Sequence, residues 1–252
     1  MKNVRRLLIL VFFSLTCSQY TQSQVLISLL LGDKLNSDKL EFGLDGGANL
    51  SNISHLEGTK MMPDFHLGFY FDFKIKPKMF IHTGVIVKST MGARGLTPYS
   101  VGNEDLDSLF IDADIDRKLQ YFNVPGLVRY RFYDYFHVEG GVQLGLLYKA
   151  TDLFHEKIYE KDDLKFKYEI LKNEEYKEKF KRFDAGVVAG AGYKLKKGEG
   201  MTLNVRYYYG LMDIVKDNQG DRQNNSSLYF CVALPIGKGK AEAKREAENE
   251  SR

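Results

Sequence analysis

The chain has 252 residues, with 27% charged and 44% apolar residues and a formal net charge of +3. That charge is too small to argue for nucleic acid as a partner. No apolar run of about 20 residues lies outside the N-terminus, which excludes a helical membrane protein. These numbers do not exclude a transmembrane barrel, whose strands alternate outward and inward residues and so hide from average hydropathy.

The chain opens on an export signal. Lys2, Arg5 and Arg6 precede a short apolar stretch, Leu7 to Leu15, and Thr21-Gln22-Ser23 places small residues at the −3 and −1 positions of a cleavage site. Cleavage after Ser23 is expected, with residues 1–23 as the signal and 24–40 as a periplasmic N-terminal segment. Cys17 falls in the signal, so Cys231 is the lone cysteine of the mature chain. No internal disulfide is expected, and no metal-ligand spacing is evident.

From residue 41 to 237 apolar residues recur at every second position, the period of a strand. One face of a first strand carries Phe42, Leu44, Gly46, Ala48 and Leu50. A second carries Leu67, Phe69, Phe71, Phe73 and Ile75, and a third Met79, Ile81, Thr83, Val85 and Val87. A fourth runs through Phe122, Val124, Gly126, Val128, Tyr130 and Phe132, and a fifth from Phe136 to Tyr148. A sixth spans Phe183 to Tyr193, a seventh Met201 to Leu211 and an eighth Leu228 to Ile236. The alternate positions are polar or small. They include Glu41, Asp45, Asn49, His66, Asp72, Lys74, His82, Lys88, Arg129, Arg131, His137, Glu139, Gln143, Asp184, Lys194, Asn204 and Arg206.

Short turns are predicted after the second, fourth and sixth strands. Longer links follow the others, at about 51–64, 89–118, 149–181 and 212–226. Short turns at one rim and long links at the other describe an eight-stranded antiparallel up-and-down transmembrane β-barrel. Both termini then lie on the short-turn, periplasmic side, with the long links extracellular. Aromatic residues near both ends of the apolar faces fit interfacial girdles. Glycines on the polar face fit a narrow interior that needs small residues opposite large ones.

A three- or five-residue loop centred on Asp134 places Arg129 opposite Glu139 and Arg131 opposite His137. With Asp45, Asp72 and Arg206 these residues are the predicted lumen charge network. The Arg129–Glu139 pair reads either as an ion path or as a plug of paired charges that fixes strand register.

Other motifs carry less. Asp112, Asp114 and Asp116 resemble the start of a calcium loop, but Arg117 stands where glycine is needed. Glu169 to Arg182 is a charged run, read as a short helix or an extended hairpin. His55, Ser89 and His155 fall near the long-link rim, but no spacing links them into a catalytic set. No enzymatic activity and no cofactor are expected. Residues 238–252 form a charged tail, expected to be disordered in the periplasm.

The fourth strand reads LQYFNVPGLVRYRF. It resembles the family of PorT-like outer-membrane β-barrels, whose members often carry Tyr-x-x-x-Pro-Leu-Leu-x-x-Tyr-x-Phe. Tyr121, Pro125, Leu127, Tyr130 and Phe132 fall on that pattern, and Gly126 departs from it. Pro125 removes one ladder donor, so a bulge is expected there. The stretches Thr83-Gly84-Val85 and Leu203 to Leu211 are also similar to that family. The resemblance implies an integral outer-membrane barrel supporting surface assembly or type IX protein secretion. Implied partners are outer-membrane lipids, the outer-membrane assembly machinery and other envelope or secretion proteins. A narrow porin-like channel, an outer-membrane enzyme and a soluble lipocalin-like barrel are the alternatives.

Overall fold

The computed structural model describes residues 36–236, apart from 38, 57, 98, 100–113, 156–166, 171–176, 196–199 and 217–219. The expected signal and the charged tail lie outside the described residues. Nine strands are described: β1 (Leu40–Ile53), β2 (Lys60–Lys76), β3 (Met79–Leu96), β4 (Asp114–Arg131), β5 (Phe136–His155), β6 (Lys167–Ile170), β7 (Phe183–Lys194), β8 (Thr202–Gly210) and β9 (Asn225–Pro235). Eight of them form one antiparallel ring in the order β4-β3-β2-β1-β9-β8-β7-β5, closed by β4–β5 pairing. The ring therefore has no free edge to satisfy, which is what a wall without water at its backbone requires.

The ring turns its period-two apolar face outward. Phe65, Leu67, Val85, Val128, Val142, Leu144, Val187, Val205, Tyr207 and Phe230 are all exposed, on neighbouring strands around the circumference. An apolar belt of this extent suits hydrocarbon and not water. Phe42 is the exception: it lies against Phe69 and Phe71, and these rings leave it 5% exposed. Inside, glycine makes room for bulk. A Cβ on Gly43 would collide with the Tyr70 ring and the Leu234 carbonyl, so Tyr70 lies across a position that only glycine leaves open.

Several sequence expectations change in detail. The first link shortens to residues 54–59, because β1 and β2 run further than their alternation suggests. Strands β2, β3, β4 and β5 have 17, 18, 18 and 20 residues, against about 9–11 needed to cross hydrocarbon. The wall thus continues past the apolar belt towards the long links. Part of the charged run after β5 is the short strand β6, which pairs Ile170 with Asp152 at the outer end of β5.

The expected bulge at Pro125 is absent. Pro125 pairs with Gln143, and the register shift between β4 and β5 falls at Gln120/Tyr121 instead. Lys88 is also misplaced by simple alternation. A register shift between Ile86 and Ser89 turns it to the outer side, where its Nζ lies 3.5 Å from the Phe65 ring centroid.

Candidate functional site

The β4–β5 register pairs Arg129 with Glu139 and Arg131 with His137, as a three- or five-residue loop centred on Asp134 requires, and the Phe132 N–H donates to the Phe136 carbonyl across the turn. Both Arg129 and Glu139 point into the lumen, 3% and 5% exposed. Arg129 donates from Nε (3.0 Å) and Nη2 (2.9 Å) to Oε2 of Glu139. Its Nη1 donates to Oδ2 of Asp72 on β2.

Arg206 projects from β8, where its cross-strand neighbour on β7 is Gly190. It donates from Nε to Oε1 of Glu139 and from Nη1 to Oδ2 of Asp45 at 2.8 Å. His82 on β3 closes the circuit. Its Nδ1 is 2.6 Å from Oδ1 of Asp72, and its Nε2 is 3.0 Å from Nη2 of Arg206. Nη2 of Arg129 also lies 3.1 Å from Nδ1 of His82, so guanidinium donors face both ring nitrogens.

Ring order gives these contacts their meaning. β3 and β8 stand four places apart in the ring of eight, on opposite walls, and so do β1 and β5. The Arg206–His82 contact and the Asp45–Arg206–Glu139 bridge each cross a full diameter. Asp45, Arg206, Glu139, Arg129, Asp72 and His82 form one connected circuit, each 6% exposed or less. Removing such charges from water costs several kcal/mol per ion before Coulomb attraction offsets it. The net stabilisation by the circuit is therefore smaller than its number of bonds suggests.

A second lumen pair lies nearer the short-turn rim. Lys194 on β7 donates to Oε2 of Glu41 on β1 at 2.7 Å, and the Tyr70 hydroxyl donates to Oε1 of Glu41 at 3.1 Å. Towards the long links Ile53, Met91, Leu119, Tyr121, Phe154 and Ile214 belong to one buried cluster, with polar groups among them such as Asp152, which accepts from Nε and Nη2 of Arg117 at 3.1 and 2.9 Å.

Of the predicted network residues, Arg129, Glu139, Asp45, Asp72 and Arg206 meet directly. Arg131 does not join them; its guanidinium lies 4.3 Å from the Phe80 ring centroid. His137 contacts Asn204 at 3.0 Å through Nε2 and stands 3.9 Å from Glu139. Sequence reasoning placed His82 and the Lys194–Glu41 pair on the polar face but not in contact, because alternation says nothing about reach across a lumen.

The other motifs are not assembled. Asp116 pairs with Arg94 at 3.3 Å, and Asp112 lies outside the described residues. Ser89 is hydrogen-bonded to the Tyr229 hydroxyl at 3.3 Å inside the barrel, whereas His55 occupies the exposed turn after β1.

Among solved structures the chain is similar to Ail, the attachment invasion locus protein of Yersinia pestis, at 13% identity over 79% of this chain and 99% of that one, with a TM-score of 0.39. It is similar to Neisserial surface protein A at 12% identity over 77% and 97%, with a TM-score of 0.41. OprG from Pseudomonas aeruginosa follows at 13% identity over 78% and 93%, with a TM-score of 0.31. No curated protein matches the chain. The model of the outer membrane protein beta-barrel domain family matches residues 19–216. With its closed eight-stranded ring, outward apolar belt and polar lumen, the chain belongs to the outer membrane protein beta-barrel domain family and is an integral outer-membrane protein.

Proposed function

We propose that this barrel is a non-conducting, non-enzymatic scaffold that acts through the surface it presents, in the manner of the PorT-like proteins it resembles. Its role is then to support surface assembly or protein secretion. The observation that carries this reading is the doubly filled lumen. A charge circuit spans two diameters at one level, and an apolar cluster fills the section towards the long links. Eight strands leave an interior about wide enough for side chains alone, and here those side chains bond to one another.

The long walls of β2 to β5 support the same reading. They carry ordered sheet beyond the apolar belt and end at β6, a rim suited to meeting another protein. In this reading the long links are extracellular and both termini are periplasmic. Residues 1–23 are a cleaved signal, 24–40 a periplasmic segment, 41–237 the barrel and 238–252 a periplasmic tail. Its partners are lipids, the assembly machinery that inserts it and the envelope proteins it serves.

The test is a deletion strain whose surface-exposed and secreted proteins are compared with the parent's by quantitative mass spectrometry. A defined set of surface proteins is expected to fall and to return on complementation. An unchanged surface and secreted set would overturn the proposal.

A further inference from the structure

We propose that Asp45, His66 and Cys231 form a binding site for a thiophilic divalent transition-metal ion of the zinc class, set across the seam where the first and last strands of the ring join. The placement follows from register. Gly47 on β1 pairs with His66 of β2 on one side and with Cys231 of β9 on the other. Asp45 lies two residues along β1, on the same lumen face. A Cβ at Gly47 would collide with the Phe230 carbonyl, so glycine there lets β9 close tightly on β1 and bring Cys231 towards His66.

One ligand atom from each residue lies within 4.8 Å of the other two. Ligands around a tetrahedral ion with bonds of about 2.0–2.3 Å stand roughly 3.3–3.8 Å apart. Drawing the three in by about an ångström is a side-chain adjustment.

The hydrogen-bond inventory points to a ligand independently. Among the described residues neither ring nitrogen of His66 has a hydrogen-bond partner, and neither does Oδ1 of Asp45; Nε2 of His66 and that Oδ1 face each other at 3.9 Å, beyond hydrogen-bond reach. These residues are 1% and 2% exposed, so water does not satisfy them from bulk. Buried polar atoms are bonded in nearly all native proteins, and an exception calls for an explanation. An ion would satisfy His66 through one nitrogen and Asp45 through Oδ1 together.

The surroundings suit that role. Oδ2 of Asp45 accepts from Arg206 at 2.8 Å, an outer contact of the kind that orients a ligating carboxylate. Tyr229 packs edge-on to the His66 ring at 5.2 Å between centroids and holds its plane. Cys231 is buried and unbridged. Nη1 of Arg206 stands 3.8 Å from its sulfur. Arg206 is also the cation that opposes a metal here, but Glu139 already accepts from its Nε. A carboxylate and a thiolate then supply two negative charges to a doubly charged ion. The mixed sulfur, nitrogen and oxygen set selects zinc-like ions over magnesium or calcium. Three protein ligands leave a fourth position for water. The ion would tie β2, β1 and β9 together, and binding only the folded ring would raise its stability.

The test uses the full chain carrying Cys17→Ser, so that Cys231 supplies the sole thiol, folded in detergent and stripped of metal. Co2+ is titrated first, and Zn2+ is then added. The expected result is a thiolate-to-cobalt charge-transfer band with the intense visible bands of tetrahedral cobalt. It saturates at a single ion per chain and bleaches with Zn2+, and Zn2+ raises the unfolding midpoint. Cys231→Ser should lose the charge-transfer band, and His66→Gln should weaken binding at least about 10-fold. If either variant fails to fold, the titration of the Cys17→Ser chain decides alone. A folded Cys17→Ser chain with no thiolate band and no zinc-dependent midpoint shift would overturn the proposal. So would an unchanged cobalt spectrum in folded Cys231→Ser.

Discussion

Arg129→Met is expected to destabilise the folded barrel by about 3–5 kcal/mol, the usual cost of removing one partner from a buried ion pair. Arg129 donates to Glu139 on one neighbouring strand and to Asp72 two strands away. Without it, the circuit keeps three carboxylates, Asp45, Asp72 and Glu139, against the single guanidinium of Arg206. Glu139 retains Arg206 and Asp72 retains His82, so the loss is severe but local. Adding Asp72→Asn to Arg129→Met removes one uncompensated charge and is expected to recover part of the stability. Urea unfolding in lipid vesicles measures both. A loss under about 1 kcal/mol for the single variant, as for an exposed pair, would show that the circuit is solvated and the lumen open at this level.

The outward belt makes the second large prediction. Val142 lies midway along the alternating apolar run from Phe136 to Tyr148 on β5 and is 54% exposed. Val142→Arg is expected to cost roughly 2–4 kcal/mol, because an arginine there faces hydrocarbon at mid-depth. Tyr133→Arg changes a residue 65% exposed in the short β4–β5 turn, where the same charge costs about 0–1 kcal/mol. A depth-dependent difference between two exposed sites is specific to a membrane solvent. Equal, small effects at both positions in vesicle unfolding would mean that the belt faces water.

Much of this architecture is legible in the sequence because strand period is two and both solvents of the wall differ in kind. Phe122 to Phe132 and Phe136 to Tyr148 alternate so strictly that face, turn and the Arg129–Glu139 register follow from counting residues. Counting fails where the count itself slips. The shift between Ile86 and Ser89 reverses the side of Lys88, and nothing in that stretch signals it. Pro125 signals a bulge that is not there, because its lost donor leaves the pairing with Gln143 intact.

The candidate site is half legible for a related reason. Alternation assigns Asp45, His82 and Arg206 to the lumen, but only ring order makes β3 and β8 opposite walls and lets one guanidinium bridge them. His66 and Cys231 are hidden more deeply. They lie on the second and last ring strands, and ring closure through Gly47 is what brings them together. Metal spacings readable in sequence are local, and this one depends on closure of the whole sheet.

The proposed scaffold role requires a sealed lumen. Single-channel recording of the purified protein in planar bilayers at neutral pH tests it most directly. The filled lumen predicts bilayers containing inserted protein with no steady conductance above baseline, whereas a stable, reproducible open level would contradict it.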